Sequence, residues 1–515
     1  MLKPTRFPAK LPLSRREAVH DLSLFAIGLG SLSLTGCGGG GGSTAAAPLA
    51  PVAPPPSDPN ITAQVSPAPV APPPPVPNTT ASIRLNLAEA GAFLNSNFAG
   101  LSYEKSKLTS PLFSGSNASM ISMLRLLGPS VLRVGANTVD TTSWKGSVNG
   151  LTPILPANID ALAAFAQATG WSVIYGINMA KNTIANSVDE ASYVASRLGL
   201  LLLGFEIGNE PDLYSGNGDR PPAYSFANFN TEWQSIATAI RQALPAAILT
   251  GPATAYKVSD YTVPFARANA ATASLLTQHY YRADGQAATS SLDLLLKPDP
   301  ALLKNLQLLS SAASTNALPL GFRMGECNSF YNGGAPNVSD GYGTALWSLD
   351  FMFSCALAQC RGVNFHGGGF GPGYTPIADK NGTVVEARPV FYGMTMFAQL
   401  AQGHAVPAIV TLGQSVNFTA YGVARTDGGV NVLLINKDPV VTVIATVDAG
   451  SSVNAMVPLA LTGPELSSTS GFLLGNTAID SNGAWSPQKA NALPAAKGLL
   501  TVNVAPLTAL LLQSA

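Results

Sequence analysis

Two segments of this chain place a carboxylate at the end of an apolar, strand-like run: Phe205-Glu206-Ile207-Gly208-Asn209-Glu210-Pro211-Asp212 and Met324-Gly325-Glu326-Cys327-Asn328. Burying an unpaired carboxylate is costly, and one at the C-terminal end of a barrel strand reads first as catalytic. Two carboxylates facing each other across a pocket are what glycosidic bond cleavage requires. One carries a proton to the departing oxygen, and the other attacks the anomeric carbon or activates water. Glu210 and Glu326 are the candidate pair, the bland alternative being ion pairs at a barrel rim. Glu206 has the parity of Glu210 but lies deeper and precedes Gly208. It reads as a structural carboxylate paired with Arg133, since buried charges are normally paired.

Such residues need a frame. Eight short apolar runs, at 98–103, 131–134, 171–177, 203–207, 247–251, 275–279, 321–325 and 362–365, alternate with stretches whose apolar residues recur every three or four positions, such as 231–243 and 343–358. That alternation predicts parallel strands covered by helices, and eight units favour a closed (β/α)8 barrel over an open sheet. The fourth and seventh strands of a barrel face each other across its mouth, where Glu210 and Glu326 would meet. Beyond residue 390 the rhythm changes to period two, as in 418–424, 430–435 and 500–504, with turns at Asp427-Gly428-Gly429 and Ser481-Asn482-Gly483. This is the pattern of a β-sandwich. The fold class expected is therefore α/β, a TIM barrel over 95–385 with a C-terminal β-sandwich over 386–515. Residues 81–94 supply an N-terminal strand to the sandwich.

The sequence resembles glycoside hydrolase family 79, the β-glucuronidase and heparanase family within a clan of retaining (β/α)8 hydrolases. The resemblance runs from about residue 83 to 515 through Phe98-Ala99-Gly100-Leu101-Ser102-Tyr103-Glu104, Leu132-Arg133-Val134-Gly135, Glu206-Ile207-Gly208-Asn209-Glu210-Pro211, His279-Tyr280-Tyr281, and Gly325-Glu326 followed by Tyr331-Asn332-Gly333-Gly334. It implies Glu210 as acid/base and Glu326 as nucleophile. Ala136 is a departure, standing where many members carry a second glycine.

On the sixth strand, period two puts His279 and Tyr281 on one face and Tyr280 on the other. Tyr281 is the inward residue, and the family places a tyrosine here against the nucleophile. His279 reads as a satisfied core histidine rather than a metal ligand. The resemblance further implies Asn209 at the sugar 2-hydroxyl, Glu104 at another hydroxyl, and Asn137, Tyr256 and Tyr374 around the pocket, with Asp140 a rival to Asn137. In the family's β-glucuronidases a tyrosine hydroxyl and a glycine N–H receive the uronic carboxylate, and Tyr331 and Gly333 match them. Backbone N–H groups bind an anion without a basic side chain. Lys105 and Lys107 are either auxiliary cations or solvated loop charges. The expected activity is exo-β-glucuronidase action on glucuronic-acid-containing glycans or glycosides. The competing readings are an endo-acting heparanase-like hydrolase and a non-catalytic carbohydrate-binding lipoprotein.

Composition excludes other classes. Lys+Arg and Asp+Glu are 28 each among 515 residues, and charged residues make up 11%. Setting aside residues 1–36 leaves 23 basic and 26 acidic residues. Such a surface gives no electrostatic ground for binding nucleic acid. The cysteines, Cys37, Cys327, Cys355 and Cys360, lack the spacing of a zinc site or a disulfide framework. No metal and no cofactor are expected, and no oligomeric state is implied.

Residues 1–36 resemble a bacterial lipoprotein signal: a basic stretch, the apolar run 22–34, then Leu34-Thr35-Gly36-Cys37 in the pattern of a lipobox. Ser14-Arg15-Arg16 resembles the twin-arginine export signature, with Ala18 where an aromatic residue is usual. The apolar run of 13 residues is short of the roughly 20 needed to span a bilayer. Export to the cell envelope and lipid attachment at Cys37 are the expectation, the lipid being the only membrane contact. Residues 37–80 form a Gly/Pro-rich linker that holds 13 of the chain's 40 prolines in 38–80 and Asp58 as its one charge.

Overall fold

The computed structural model describes residues 77–515 apart from Ser96 and Ala401; the expected signal, Cys37 and the linker up to residue 76 lie outside the described residues. Eight parallel strands close into a barrel: β1 (Ala99–Glu104), β2 (Val131–Gly135), β3 (Ser172–Ile177), β4 (Leu202–Ile207), β5 (Leu249–Thr254), β6 (Leu275–Tyr281), β7 (Phe322–Asn328) and β8 (Val363–Gly367). Each pairs with its sequence neighbour, and β8 closes on β1 through Val363–Ala99 and Phe365–Leu101. The strands are buried on both faces, β7 along its whole length, which accounts for their apolar runs.

Helices lie between the strands and start where the sequence supplies caps. Thr183 accepts the Asn186 N–H at the start of Ile184–Leu198, and Asp299, followed by Pro300, accepts the Ala301 N–H at the start of Pro300–Thr315. Gly343–Leu357 is apolar nearly all round because it is almost wholly buried.

The second region is one hydrogen-bonded sheet folded into two layers. The long strand Gly403–Leu412 makes the fold-over: residues 403–407 pair with Phe418–Arg425, and residues 408–412 pair with Asn78–Leu85. Strands that change sheet partway are a known way of turning such corners. Period two then assigns the two faces of Val430–Asn436. Val432 and Leu434 enter a sandwich core with Ile83, Val443 and Leu512, while Leu433 and Ile435 join the barrel's hydrophobic cluster. One strand thus serves both cores.

The strand Asn78–Leu85 begins three residues inside the segment that composition assigned to the linker. Its Thr79, Ala81 and Ile83 are buried, and it lies between Gly403–Leu412 and Thr442–Asp448. Alternating side chains at 79, 81 and 83 form a strand whatever precedes them, so the proline count did not mark its true start. At the other boundary, Pro389–Ala398 is a helix buried through most of its length. The Thr383–Ala387 hairpin strand leads into it and spans residue 385.

Candidate active site

At the end of β4 the chain turns sharply. Gly208 has φ 79° and Glu210 itself has φ 50°, in the left-handed region. The Glu210 N–H donates to the Ala253 carbonyl at 2.9 Å, tying this turn to the end of β5. A non-glycine residue held there costs on the order of 1 kcal/mol, and the result is a carboxylate at the barrel mouth that is only 2% exposed. Glu326, 3% exposed, enters from β7. One oxygen of Glu210, one of Glu326 and a ring nitrogen of His279 all lie within 4.8 Å of one another.

Two donors reach Glu326 from other barrel strands. The Tyr281 hydroxyl on β6 donates to Oε1 at 2.8 Å, and Arg133 Nη1 on β2 donates to Oε2 at 2.8 Å. Such donors favour the charged carboxylate. Arg133, with no exposed surface, also donates through Nε to Glu206 Oε2 at 2.6 Å and through Nη2 to Asn209 Oδ1 at 2.8 Å. Burial alone would lower the guanidinium, but the charges and hydrogen bonds of Glu206 and Glu326 outweigh it and the net shift is upward. The pairing of Glu206 with Arg133 expected from the sequence is present.

His279 Nδ1 lies 3.1 Å from Glu210 Oε1. This contact was not visible in the sequence, where His279 read as a core histidine. Period two did place it on the inward face with Tyr281; what it meets there depends on the β4 turn. Tyr280 faces outward as expected, its hydroxyl on Asp299 at 2.9 Å and its ring stacked on Phe351. Glu210, His279 and Glu326 carry the donor types of a cation site. Both oxygens of Glu326 already accept from Tyr281 and Arg133, however, so the trio suits proton transfer better than cation binding.

The remaining candidates gather around this pair to different degrees. Asn209 Nδ2 donates to Asn137 Oδ1 at 3.3 Å, so these two meet, with Asn137 exposed at the mouth. Asp140, the rival to Asn137, is spent on structure: it accepts the Met179 and Ala180 N–H groups and the Tyr214 hydroxyl. Glu104 accepts the Thr138 N–H at 2.7 Å and lies 3.8 Å from His366 Nε2. The other nitrogen of His366 is 3.7 Å from Glu326 Oε2, so His366 sits between the two carboxylates. The rings of Tyr331 and Tyr374 lie 6.5 Å and 5.8 Å from that of Tyr281. Tyr256 stands apart at the rim, 62% exposed, with its N–H on Asp212 Oδ2.

Asn332, Gly333 and Gly334 all have positive φ, 57°, 81° and 95°. Within this turn the Gly334 N–H donates back to the Tyr331 carbonyl at 3.4 Å, and Asn332 Nδ2 secures it by donating to Asp284 Oδ1 at 2.9 Å. This loop touches the loop after β8: a Cβ on Gly373 would fall 2.2 Å from the Gly333 carbonyl oxygen. Asn328 Nδ2 bridges the carbonyls of His366 and Tyr374, both at 2.9 Å. Lys105 is buried against Glu190 of the helix Ile184–Leu198 at 2.7 Å, and Lys107 lies 3.5 Å from Asp379 on the strand Ile377–Lys380 after β8, so both are engaged in ion pairs with other elements. Ala136 has φ 56°, which explains why a glycine is easier at this position.

No family model matches the chain. It is similar to a β-glucuronidase of Aspergillus niger, 24% identical over 348 residues that cover 59% of this chain and 63% of that protein. It is also similar to heparanase-like protein 3 of Arabidopsis thaliana, 26% identical over 317 residues covering 57% of this chain and 56% of that one. The chain thus spans about three fifths of the length of the curated relatives it matches. Among solved structures, a 4-O-α-L-rhamnosyl-β-D-glucuronidase from Fusarium oxysporum superposes with a TM-score of 0.71 at 18% identity, over 84% of this chain and all of that one. A family 51 arabinofuranosidase from Xanthomonas axonopodis gives 0.62 at 14% identity over 85% of this chain and all of that one. These superpositions establish the architecture, a (β/α)8 barrel joined to a sheet domain. The sequence relatives carry the resemblance to β-glucuronidases and heparanase-like proteins.

Proposed function

We propose that the chain is a retaining glycoside hydrolase, an exo-β-glucuronidase that removes terminal glucuronic acid from glycans or glycosides. The observation that carries this reading is the approach of Glu210 and Glu326, from opposite strands, to within 4.8 Å. Retention goes with carboxyl groups about 5–5.5 Å apart, whereas inversion needs about 6.5–9.5 Å to admit a water. Glu326, held by Tyr281 and Arg133, attacks the anomeric carbon. Glu210 protonates the departing oxygen and then takes a proton from the water that releases the sugar.

The uronic carboxylate is assigned to Tyr331 and the N–H of Gly333. The exposed position of Gly333, with open space where a side chain would stand, supports this, and so does the chain's low charge, since no basic patch is required. The exo reading is supported by the joined loops after β7 and β8, which wall one side of the mouth. A capture protein without activity has no use for two carboxylates flanking the bond.

A 2-fluoro-glucuronide with a good leaving group tests the assignment by trapping. Mass spectrometry should find the glycosyl adduct on the peptide containing Glu326; an adduct elsewhere, or none, refutes it. Specificity is tested separately by Tyr331→Phe. Loss of one contact to a carboxylate costs about 1–3 kcal/mol, so kcat/KM should fall roughly tenfold or more on aryl β-glucuronide and little on aryl β-glucoside. Equal losses would make Tyr331 a packing residue.

We also propose that the chain is exported and anchored by lipid at Cys37, on the strength of Leu34-Thr35-Gly36-Cys37. A fatty-acid analogue should label the full-length chain and fail to label Cys37→Ser.

A further inference from the structure

The far end of the barrel holds a buried cation without a counter-charge. Arg323, the second residue of β7, is 3% exposed. Its Nε donates to Asn364 Oδ1 at 2.6 Å, its Nη1 to the Arg361 carbonyl at 3.2 Å, and its Nη2 to the carbonyls of Asn97, Phe98 and Val363 at 2.8, 3.3 and 3.4 Å. All of these acceptors are neutral. Among the described residues, no ion pair includes Arg323 or Arg361. Burial pushes Arg323 down to about 10, with only the neighbouring thiols of Cys360 and Cys327 opposing it, so the side chain is charged at neutral pH.

The backbone is shaped around this guanidinium. A Cβ on Gly362 would lie 2.2 Å from Nη1, and one on Gly100 would lie 2.9 Å from Nη2. Arg323 lines a cavity of about 400 Å³ whose other polar members are Arg361, Asn95, Asn97 and Ser172. Val131, Ser172 and Leu275, the first residues of β2, β3 and β6 or the residue opening them, border it too. It therefore opens at the end opposite Glu210 and Glu326. Its lining contains two cations and no carboxylate.

We propose that this cavity is a binding site for a small oxyanion, of phosphate or carboxylate type, attracted by the charge of Arg323 and contacted by the guanidinium of Arg361. Taking a guanidinium out of water without a counter-ion is expensive, and an oxyanion supplies that counter-charge. The planar fork of arginine suits oxyanions in particular. The site lies outside the catalytic assignment, so it stands or falls independently of it.

The test is calorimetric titration of the full chain with inorganic phosphate and, separately, with acetate, at fixed ionic strength. Saturable one-site binding of either anion is expected, with a melting temperature that rises as the site fills. Arg361→Ala is the variant of choice because Arg361 is exposed, whereas loss of Arg323 threatens folding. It should weaken binding about tenfold or more, the usual scale for a charge-assisted contact. Absence of saturable heat with both anions overturns the proposal. So does binding that Arg361→Ala leaves unchanged.

Discussion

Arg133 Nη1 donates to Glu326 Oε2 at 2.8 Å from a side chain with no solvent exposure. The same guanidinium holds Glu206 through Nε at 2.6 Å, so one buried cation is shared between two buried carboxylates. Glu206 thereby contributes to the site without facing the substrate: it fixes the plane of the fork that aims Nη1 at Glu326. Arg133→Met should take the guanidinium away from both carboxylates, and removing one partner of a buried pair typically costs about 3–5 kcal/mol. Calorimetry should show that loss, and hydrolysis should fall with it. Adding Glu206→Leu should restore part of the stability and none of the activity. Recovery of both together would mean that Arg133 serves only the fold.

Much of this was legible in the sequence because it depends on local pattern. The eight apolar runs, the parity of Tyr280 and Tyr281, and the pairing of Glu206 with Arg133 follow from period and from the cost of burying charge. What escaped was decided by chain reversals between strands. His279 meets Glu210 because the β4 turn places Glu210 at φ 50° and because the β6–β7 register shifts between Gln278 and His279. Lys105 reads as an auxiliary cation or a solvated loop charge, yet it is buried against Glu190 on the helix Ile184–Leu198, 85 residues away. No spacing rule connects two such elements. Similarly, the sequence pairs Arg133 with Glu206 and gives no sign of its reach to Glu326, which appears only once the barrel is closed.

The strand Asn78–Leu85 gives a prediction about chain length. A chain starting at residue 77 keeps its pairing with both neighbours and should melt like the full-length protein. One starting at Leu87 loses the strand between Gly403–Leu412 and Thr442–Asp448 and uncovers the core side of Val443, Ala445 and Val447. Loss of the buried Ile83 alone is worth about 1.5–3 kcal/mol. The shorter chain should melt many degrees lower or fail to accumulate, and equal melting temperatures would show that the strand is dispensable.

Asp140 gives a pH prediction. Burial pushes its carboxyl from 3.8 up to about 6, against the lowering influence of the Tyr214, Ala180 and Met179 hydrogen bonds. The folded chain therefore holds this proton more tightly than the unfolded one. Its contribution to stability is complete below pH 3.8 and is lost as pH rises through about 6. A shift of that size corresponds to about 3 kcal/mol. Asp140→Asn should flatten this component, so that the difference in stability between variant and wild type changes across pH 4–6 in thermal melts. A constant difference would show that Asp140 titrates alike in both states.

The roles proposed for Glu210 and Glu326 can be separated kinetically, since a double displacement uses its two carboxylates at different moments. Without Glu326 no glycosyl-enzyme can form, so Glu326→Gln should lack turnover on every β-glucuronide. Without Glu210 the first step still proceeds when the leaving group needs no proton. Glu210→Gln should therefore release a burst of phenol from an activated aryl glucuronide and then stall. Azide should restart it, because azide attacks the intermediate without a base, and the product should be the β-azide. His279, 3.1 Å from Glu210 Oε1, offers an internal control. His279→Ala should alter the pH profile of the protonation step on substrates with poor leaving groups while leaving the burst from activated ones intact. Proton NMR of the first-formed sugar should show the β anomer. The α anomer appearing first would mean inversion and would overturn the double-displacement mechanism.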